Sequence, residues 1–236
     1  MPIVANAQDV TALDLTPVRM SVNPGRRFPQ LVLGLALYGT SMAMMTRAGL
    51  GLNPWDVLHE GLSERTGLTF GTIVAIASLG VLLFWIPLRQ RPGVGTAANI
   101  VVVAFTVDLV RAVLPQQHTL AWQIPLMLGG IVLNGLATAA YVGARLGPGP
   151  RDGLMTGLAA RTGWSVRLVR TGIEIVALAA GWVLGGTAGI GTVLYAAGIG
   201  PLTQAFLPLV AWREQRPPKA LRIDLEPGED IGGRAA

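Results

Sequence analysis

The chain contains no cysteine, and only two of its 236 residues are histidine. The lack of cysteine excludes disulfide bonds, iron–sulfur clusters and thiolate zinc sites. His59 and His118 lie too far apart in the sequence to suggest a metal pair, and no nucleophile elbow or HExxH motif is present. These absences predict a protein that is not an enzyme and that uses no cofactor and no metal.

Charged residues are also scarce: they make up 13% of the chain, whereas 51% is hydrophobic and the mean hydropathy is +0.53. Six apolar windows reach roughly the 20 residues that a transmembrane helix needs. We place the predicted spans at residues 28–46, 69–88, 94–114, 122–142, 166–184 and 189–210. The composition therefore predicts an all-α, multi-pass membrane protein in contact with the lipid bilayer.

Two polar segments flank this apolar region. Residues 1–27 and 213–236 are rich in proline, glycine and charged residues, which predicts a disordered N-terminal arm and a disordered polar tail. Residues 1–27 contain no apolar run of the kind found in signal peptides, so we expect the first span to direct insertion. The chain between these segments divides into two predicted membrane repeats, residues 28–114 and 122–210.

The net charge of +5 raises the question of a nucleic-acid partner, but the positions of the positive residues indicate membrane topology instead. The arm, the loops after the second and fourth spans, and the start of the tail together hold 12 Lys and Arg residues. The opposite side holds 3, namely Arg47, Arg65 and Arg111. Because positive residues concentrate in cytoplasmic loops, we expect both termini to be cytoplasmic and nucleic acid not to be a partner.

The sequence repeats itself at an offset of 96 residues. Residues 39–67 and 135–163 are identical at 13 of 29 positions without a gap, and residues 93–96 match residues 189–192 in the same register. Each repeat holds three predicted spans, and an odd number of crossings turns the second copy upside down relative to the first. Such inverted repeats are typical of secondary transporters. The predicted fold is thus six transmembrane helices in two inverted three-helix repeats.

Each repeat carries a short predicted helix after its first span. Its four opening residues are Asn53, Pro54, Trp55 and Asp56 in the first copy, and Gly149, Pro150, Arg151 and Asp152 in the second. Asn or Gly suits the N-cap, proline the first helical position, and an acid the first turn. Gly67 and Gly163 suit the C-cap. At about 18 Å each segment is too short to cross a bilayer.

Two interpretations of the short helices remain open. In the first, they lie on opposite membrane surfaces as amphipathic helices, with Trp55, Leu58 and Leu62 facing lipid and the acids serving only as caps. In the second, they dip inward as half-helices whose N-terminal ends face a central site. Asp56 and Asp152 would then contact an ion or a substrate and shape the gates.

Polar residues within the spans are costly in hydrocarbon and are often functional. Glu174 lies deep in the fifth span, one turn after Arg170, and is the predicted carrier of any proton or cation coupling. Asn99 and Tyr195 occupy matched positions in the two repeats and complete the predicted ion or substrate residues. Pro201, which follows two nearby glycines, is expected to break the sixth span near its middle.

These features predict a transporter or permease with a site at the repeat interface, for a small solute that the sequence does not identify. The alternative is a non-transporting membrane scaffold or accessory protein that supports a partner enzyme or sensor. A hydrated polar cavity at mid-membrane favours the transporter, whereas a dry interface filled with Leu and Val favours the scaffold. A homo-oligomer or a membrane partner protein is compatible with both.

The run GLNPWD at residues 51–56, followed by GLS at 61–63 and TG at 66–67, resembles the YczE/YyaS family of bacterial membrane proteins. It is more distantly similar to the YitT family, which also has a duplicated membrane unit. The resemblance covers most of residues 28–212 and implies a multi-pass protein of the bacterial cytoplasmic membrane, without implying a defined activity. The second copy departs from the motif, because Gly149 and Arg151 replace Asn and Trp, so two sites need not be equivalent.

Overall fold

The computed structural model describes residues 17–18 and 20–212, and within these residues the secondary structure consists of eight α-helices without a strand. The helices are α1 (Pro24–Ala48), α2 (Pro54–Thr66), α3 (Phe70–Leu88), α4 (Val94–Val113), α5 (Leu120–Gly143), α6 (Pro150–Thr162), α7 (Val166–Val183) and α8 (Ile190–Val210). The fold is all-α, as the composition predicts. Most of the predicted arm and the whole of the predicted tail lie outside the described residues.

Five of these helices, α1, α3, α4, α5 and α8, are long and apolar enough to cross a membrane. Their outward faces carry large apolar side chains such as Ile86, Phe105 and Leu209, which are 69–78% exposed. Side chains of this kind face lipid in a membrane protein. The predicted fifth span corresponds to α7, which has 18 residues but carries Arg167, Arg170 and Glu174, so it is not among the five.

The first helix begins at Pro24 rather than at residue 28, where the apolar pattern begins. The reason is Arg27, which the sequence analysis placed in a polar arm but which is fully buried. Its guanidinium donates to the carbonyl oxygens of Ala144 and Arg145, both at 2.9 Å, just beyond the end of α5. Carbonyl groups at a helix C-terminus lack partners within the helix, and Arg27 supplies donors for them.

The two short helices have the bounds and the caps that the sequence predicts. In α2, Pro54 is the first residue and Gly67 ends the helix with a φ of 71°. In α6, Pro150 is the first residue and Gly163 ends the helix with a φ of 74°. Glycine suits both ends because an L side chain strains a backbone with positive φ.

The long helices pack closely where glycine faces a neighbour. α1 and α5 lie side by side, and a Cβ on Gly34 of α1 would stand 2.8 Å from the Tyr141 backbone nitrogen of α5. Further along α1, Gly39 meets α4, where a Cβ would be 2.9 Å from the Val103 carbonyl oxygen. In α5, Gly135 meets Leu202 of α8, with a corresponding distance of 2.7 Å to the Leu202 Cβ. Any larger residue would push these helices apart.

Two buried apolar clusters form the core of the described residues. The first draws on α1, α3, α4 and α5, and the second on α1, α2, α5 and α8. Because α1 and α5 contribute to both clusters, they form the centre of the molecule. The other helices are arranged around this pair: α4 packs on α1, α8 on α5, α2 on α7, and α6 on α3.

The predicted break at Pro201 is wrong, because α8 continues without interruption from Ile190 to Val210. A proline inside a helix removes one backbone hydrogen bond without necessarily ending the helix. In membrane helices, neighbouring groups commonly compensate for that loss.

Candidate functional site

The first turn of α2 is closed by a reciprocal pair of side chains. The backbone N–H of Asp56 donates to Oδ1 of Asn53 at 3.0 Å, and the Asn53 amide donates to Oδ2 of Asp56 at 2.5 Å. Both side chains are buried. A carboxylate is favoured here because the first N–H groups of a helix lack backbone partners and carry the positive end of its dipole.

His59 lies one turn further along α2 and uses the second oxygen of the same carboxylate. Its Nδ1 is 3.3 Å from Oδ1 of Asp56, and its ring is fully buried. On another side the ring packs edge-on against Phe70 of α3, with the centroids 5.9 Å apart. Burial lowers the pKa of His59, while the hydrogen bond with Asp56 acts in the opposite direction.

Arg151 reaches this cluster from the first turn of α6. Its Nη2 is 4.0 Å from Oδ1 of Asp56 and 3.4 Å from Nε2 of His59. Its Cζ lies 4.9 Å from the centroid of the Trp55 ring, which is a cation–π distance. Trp55 and Arg151 are 96 positions apart, so the same position of the two sequence repeats supplies both partners. The first turns of the two short helices therefore meet.

The first turn of α6 is held by different partners. Gly149 provides no side-chain cap, and Asp152 accepts a hydrogen bond from the Tyr141 hydroxyl at 2.5 Å. The Trp85 indole donates to the Pro150 carbonyl at 3.0 Å. Helices α3 and α5 thus fix the start of α6.

A cavity of about 230 Å³ lies between the first turns of α2 and α6. Its charged lining residues are Arg151 and Asp152 of α6, and Arg170 and Glu174 of α7. The hydroxyl and amide groups in its wall come from Tyr38, Asn53, Thr138, Tyr141, Tyr195, Thr203 and Gln204. Since cations, acids and neutral hydrogen-bonding groups all face one space, the cavity can accommodate a polar or charged small molecule.

Glu174 and Arg170 form an ion pair within α7. The distance from Nε of Arg170 to Oε1 of Glu174 is 2.8 Å, and the two side chains are 46% and 24% exposed, respectively. Other residues of α7, including Val169, Ile173 and Ala177, line an apolar groove of about 440 Å³. This helix therefore separates a polar space from an apolar one.

Tyr195 joins a buried chain of hydrogen bonds at the back of the cavity. Its hydroxyl donates to Oδ1 of Asn134 at 3.0 Å, and the Asn134 amide donates to the Ser41 hydroxyl at 2.7 Å. The chain connects α8, α5 and α1. Because every side-chain donor and acceptor in it has a partner, it orients the Tyr195 ring at low energetic cost.

Asn99 does not share the main cavity. It lines a smaller cavity of about 40 Å³ together with Ser78, Tyr141 and Asp152. Asp152 lines both spaces. The matched repeat positions Asn99 and Tyr195 thus face two different cavities.

The structure brings together most of the residues singled out from the sequence. Those that line the main cavity are Asn53, Pro54, Trp55, Asp152, Glu174 and Tyr195. Asp56 lies directly behind them, fully buried against Asn53 and His59. Gly67 and Gly163 lie at the far ends of their helices, and next to Pro201 it is Gly200 that lines the cavity.

The residues of the site that were not selected from the sequence include Tyr38, His59, Tyr141 and Arg151. A signal existed for two of them. His59 follows Asp56 by three residues, which places both on one face of a helix. Arg151 occupies the position of the second copy that corresponds to Trp55. A charged residue at a position that is apolar in the other copy indicates a possible binding residue. Nothing in the local pattern distinguishes the two tyrosines from ordinary core residues.

Among the described residues, no group of three or more His, Asp or Glu side chains is arranged so that it could hold a metal ion. The guanidinium, carboxylate and hydroxyl groups that line the cavity are able to bind a polar or charged molecule.

Residues 25–208 match the profile of a family described as a family of unknown function, DUF6198. An uncharacterized protein of Haemophilus influenzae is 38% identical over 181 residues, covering 77% of this chain and 83% of that protein. The uncharacterized membrane protein YczE of Bacillus subtilis is 37% identical over 172 residues, covering 72% of this chain and 80% of YczE. The protein YyaS of the same organism is 26% identical, covering 75% and 90% of the two chains. No solved structure matches.

Proposed function

The chain belongs to the YczE/YyaS-like family of membrane proteins, and from that premise we propose that it transports a small solute through the polar cavity. The observation that carries this proposal is the cavity itself, about 230 Å³ in volume and lined by two arginines and two acids. Charged side chains are costly inside a membrane and usually serve a substrate or an ion. The proposal includes no catalytic step.

The arrangement we propose is two inverted repeats, α1–α4 and α5–α8. Two pairs of helix contacts support it, because they recur with the partners exchanged: α1 packs on α4 as α5 packs on α8, and α2 packs on α7 as α6 packs on α3. The contact of α3 with α4 has no comparable counterpart between α7 and α8. Atomic contacts follow the same rule. The Gly95 N–H donates to the Leu146 carbonyl at 2.9 Å, and the Gly191 N–H donates to the Leu50 carbonyl at 2.9 Å. Each pair of residues is related to the other pair by the 96-residue offset.

Within this arrangement, α2 and α6 act as half-helices that enter the membrane from opposite sides. Their first turns meet at the contact between Trp55 and Arg151. Their last turns lie beside different helices: Arg65 donates to the Leu184 carbonyl after α7, and Arg161 donates to the Pro87 carbonyl in α3. Converging starts and separate ends favour the inward-dipping interpretation over two helices lying on the surface.

We assign α7 as a membrane span in addition to the five apolar helices, which makes it the fifth of six spans in chain order. Its 18 residues correspond to about 27 Å of helix, close to the thickness of the hydrocarbon core. Its charged pair faces the polar cavity while Val169, Ile173 and Ala177 face the apolar groove. Charges that face a polar cavity are tolerated in a membrane-spanning helix. With six spans and the surplus of positive residues on one side, both termini lie in the cytoplasm of a bacterial cell.

In this transporter Asp152, Glu174 and Tyr195 contact the solute or a coupling ion, and Asp56 supports the gate formed by α2. Glu174 remains the first candidate for ion coupling, because protonation or cation binding would release Arg170 from the ion pair. Asn99 lines the smaller cavity together with Asp152, and its role in this proposal is to tune the position of that carboxylate.

The test is uptake by proteoliposomes across a panel of radiolabelled amino acids, carboxylates, sugars and inorganic ions. We expect uptake of at least one class, and Arg151→Gln and Glu174→Gln should each reduce it by roughly tenfold or more, since one charged contact contributes about 1.5–3 kcal/mol. The matched control is Arg161→Gln, which makes the same change in the last turn of α6, away from the cavity.

Three results would count against transport through this cavity. The first is the absence of uptake for the whole panel by folded protein, which favours the scaffold alternative. The second is uptake that all three variants retain. The third is a solvent-inaccessible cavity, detected when a cysteine introduced at Thr203 does not react with a small maleimide.

A further inference from the structure

One carboxylate oxygen in the site faces two groups that can both be positively charged. Oδ1 of Asp56 lies 3.3 Å from Nδ1 of His59 and 4.0 Å from Nη2 of Arg151. The other oxygen, Oδ2, is occupied by the Asn53 amide at 2.5 Å. A single buried carboxylate balances one cation well and two cations poorly.

Arg151 is the permanent cation of this trio, because a guanidinium does not lose its proton in proteins. With its Nη2 3.4 Å from Nε2 of His59, it opposes protonation of the imidazole. In the structure as it stands, Asp56 therefore balances Arg151, and His59 is neutral. Burial of the imidazole acts in the same direction.

Other elements around His59 leave this balance unchanged. Phe70 of α3 presents a ring, and the Arg111 guanidinium of α4 lies over that ring, 4.8 Å from its centroid. The other ionisable side chains that face the adjacent cavity are the hydroxyls of Tyr38, Tyr141 and Tyr195, the Asp152 carboxylate of α6 and the Arg170–Glu174 pair of α7. Asp152 accepts from the Tyr141 hydroxyl and Glu174 pairs with Arg170, whereas Asp56 is the acid that faces both His59 and Arg151.

The Arg151 guanidinium can also bind a group in the main cavity. It lines the main cavity, and its side chain is 18% exposed, whereas Asp56 is completely buried. The Trp55 ring can hold the guanidinium by a cation–π contact as it turns, since the two already lie 4.9 Å apart. An anion in the cavity would thus compete with Asp56 for Arg151.

We propose that a small oxyanion, a carboxylate or a tetrahedral anion, binds Arg151 in the cavity and that this binding is linked to uptake of one proton by His59. The inference rests on the proposed transport function and names its substrate class and coupling ion. The anion draws Arg151 from Asp56, the imidazole takes a proton from water, and the ionised Asp56 then balances His59. With a monovalent anion, one negative charge and one positive charge enter together, so the net charge of the site is unchanged.

An oxyanion fits better than a halide for a geometric reason. The guanidinium donates two parallel hydrogen bonds to the paired oxygens of a carboxylate or of a tetrahedral oxyanion, and a halide accepts from only one point. By reciprocity, an anion that favours protonated His59 must bind more tightly at lower pH.

The protein is well suited to a direct test, because His59 and His118 are its only histidines. In His118→Gln protein labelled with ¹⁵N-histidine in nanodiscs, the imidazole shifts report the titration of His59 alone. Lactate and sulfate serve as the probe anions, since both stay ionised between pH 5 and pH 9, and chloride is the reference. We expect the midpoint of His59 to rise by about one pH unit or more with lactate or with sulfate.

Two variants in the same background test the link. Arg151→Gln should raise the midpoint without any oxyanion and abolish the further rise, because the competing cation is gone. Arg161→Gln, the matched control in the same helix, should behave like the parent. A rise with lactate alone identifies a carboxylate, and a rise with sulfate alone identifies a tetrahedral oxyanion.

The inference is overturned if neither probe moves the midpoint in the His118→Gln parent, a result that does not depend on the folding of either arginine variant. It is also overturned if Arg151→Gln leaves the midpoint where it was. These measurements need no transport, so they separate the two proposals. If the protein takes up solute but oxyanions do not change the His59 midpoint, only this inference is overturned. If oxyanions change the midpoint but no solute is taken up, transport is contradicted and the oxyanion-binding site stands.

Discussion

Asp56 and Asp152 occupy the same position of the sequence repeat, yet their surroundings differ. Asp56 is fully buried and faces His59 and Arg151, whereas Asp152 is partly exposed and accepts a hydrogen bond from the neutral Tyr141. The repeat therefore specifies a carboxylate in each first turn, and the neighbours decide its role. Asp56 balances charge, while Asp152 offers a free acceptor to the cavity.

This difference predicts unequal effects of the same substitution. Asp56→Asn keeps the shape and leaves Arg151 without its counter-charge, so we expect a loss of about 2–3 kcal/mol of stability, near the lower end for a buried ion pair. Asp152→Asn still accepts from Tyr141 and should cost less than about 1 kcal/mol. Unfolding of both variants in the same nanodiscs, at a pH near 7, measures the difference. Equal losses would show that the two acids serve only as helix caps.

Local sequence was sufficient to predict the ends of α2 and α6. Asn53, Pro54 and Gly67 act within a few residues of themselves, as a cap, a helix start and a helix end, so a single sequence carries the information. The contact between Arg151 and the α2 cluster could not be predicted in this way. It joins residues about 92–96 positions apart, and it depends on how four other helices pack around them.

At the scale of a helix, α7 has one polar and one apolar surface. A hydropathy average over its sequence does not distinguish the two. One surface holds the Arg170–Glu174 pair beside the cavity, and the other packs on α2 or lines the apolar groove. The apolar residues of this segment predict a membrane span. Its three charged residues are the reason that α7 is less apolar than the five helices that are long and apolar enough to cross a membrane. Only the packing explains how both observations belong to one helix.

Two glycines of α7 provide a matched test of its contact with α2. A Cβ on Gly181 would stand 2.3 Å from the Leu58 backbone nitrogen, whereas a Cβ on Gly172 would meet nothing within 4 Å. We expect Gly181→Ala to force α7 from α2 and to cost about 1–3 kcal/mol. Gly172→Ala should be neutral or slightly stabilising, because alanine favours a helix by about 1 kcal/mol over glycine. Thermal unfolding of the two single variants compares them directly.

A result in which both alanine variants unfold like the parent would contradict the close approach of α2 and α7. The contact matters beyond stability, since α2 carries Asp56 and α7 carries Glu174, and a shift between these helices changes the cavity. Gly181→Ala should therefore also reduce solute uptake, whereas Gly172→Ala should leave it unchanged.

At the scale of the whole molecule, the arrangement predicts the side of the membrane on which each loop lies. Residues Arg91 and Gln116 flank the two ends of α4, which at 20 residues is about 30 Å long. Gln116 also lies beside the end of α1, since the Gln117 N–H donates to the Arg47 carbonyl at 2.9 Å. With both termini in the cytoplasm, position 91 must be cytoplasmic and position 116 external.

Single-cysteine variants test this topology without background, because the natural chain has no cysteine. In intact cells, a membrane-impermeant maleimide should label Gln116→Cys and should label Arg91→Cys only after the membrane is opened. Val103→Cys, buried in the middle of α4, is the control and should react only after unfolding. External labelling of position 91 with protection of position 116 would reverse the orientation. Labelling of both positions from outside would mean that α4 does not cross the membrane, and the inverted arrangement of the two repeats would then be wrong.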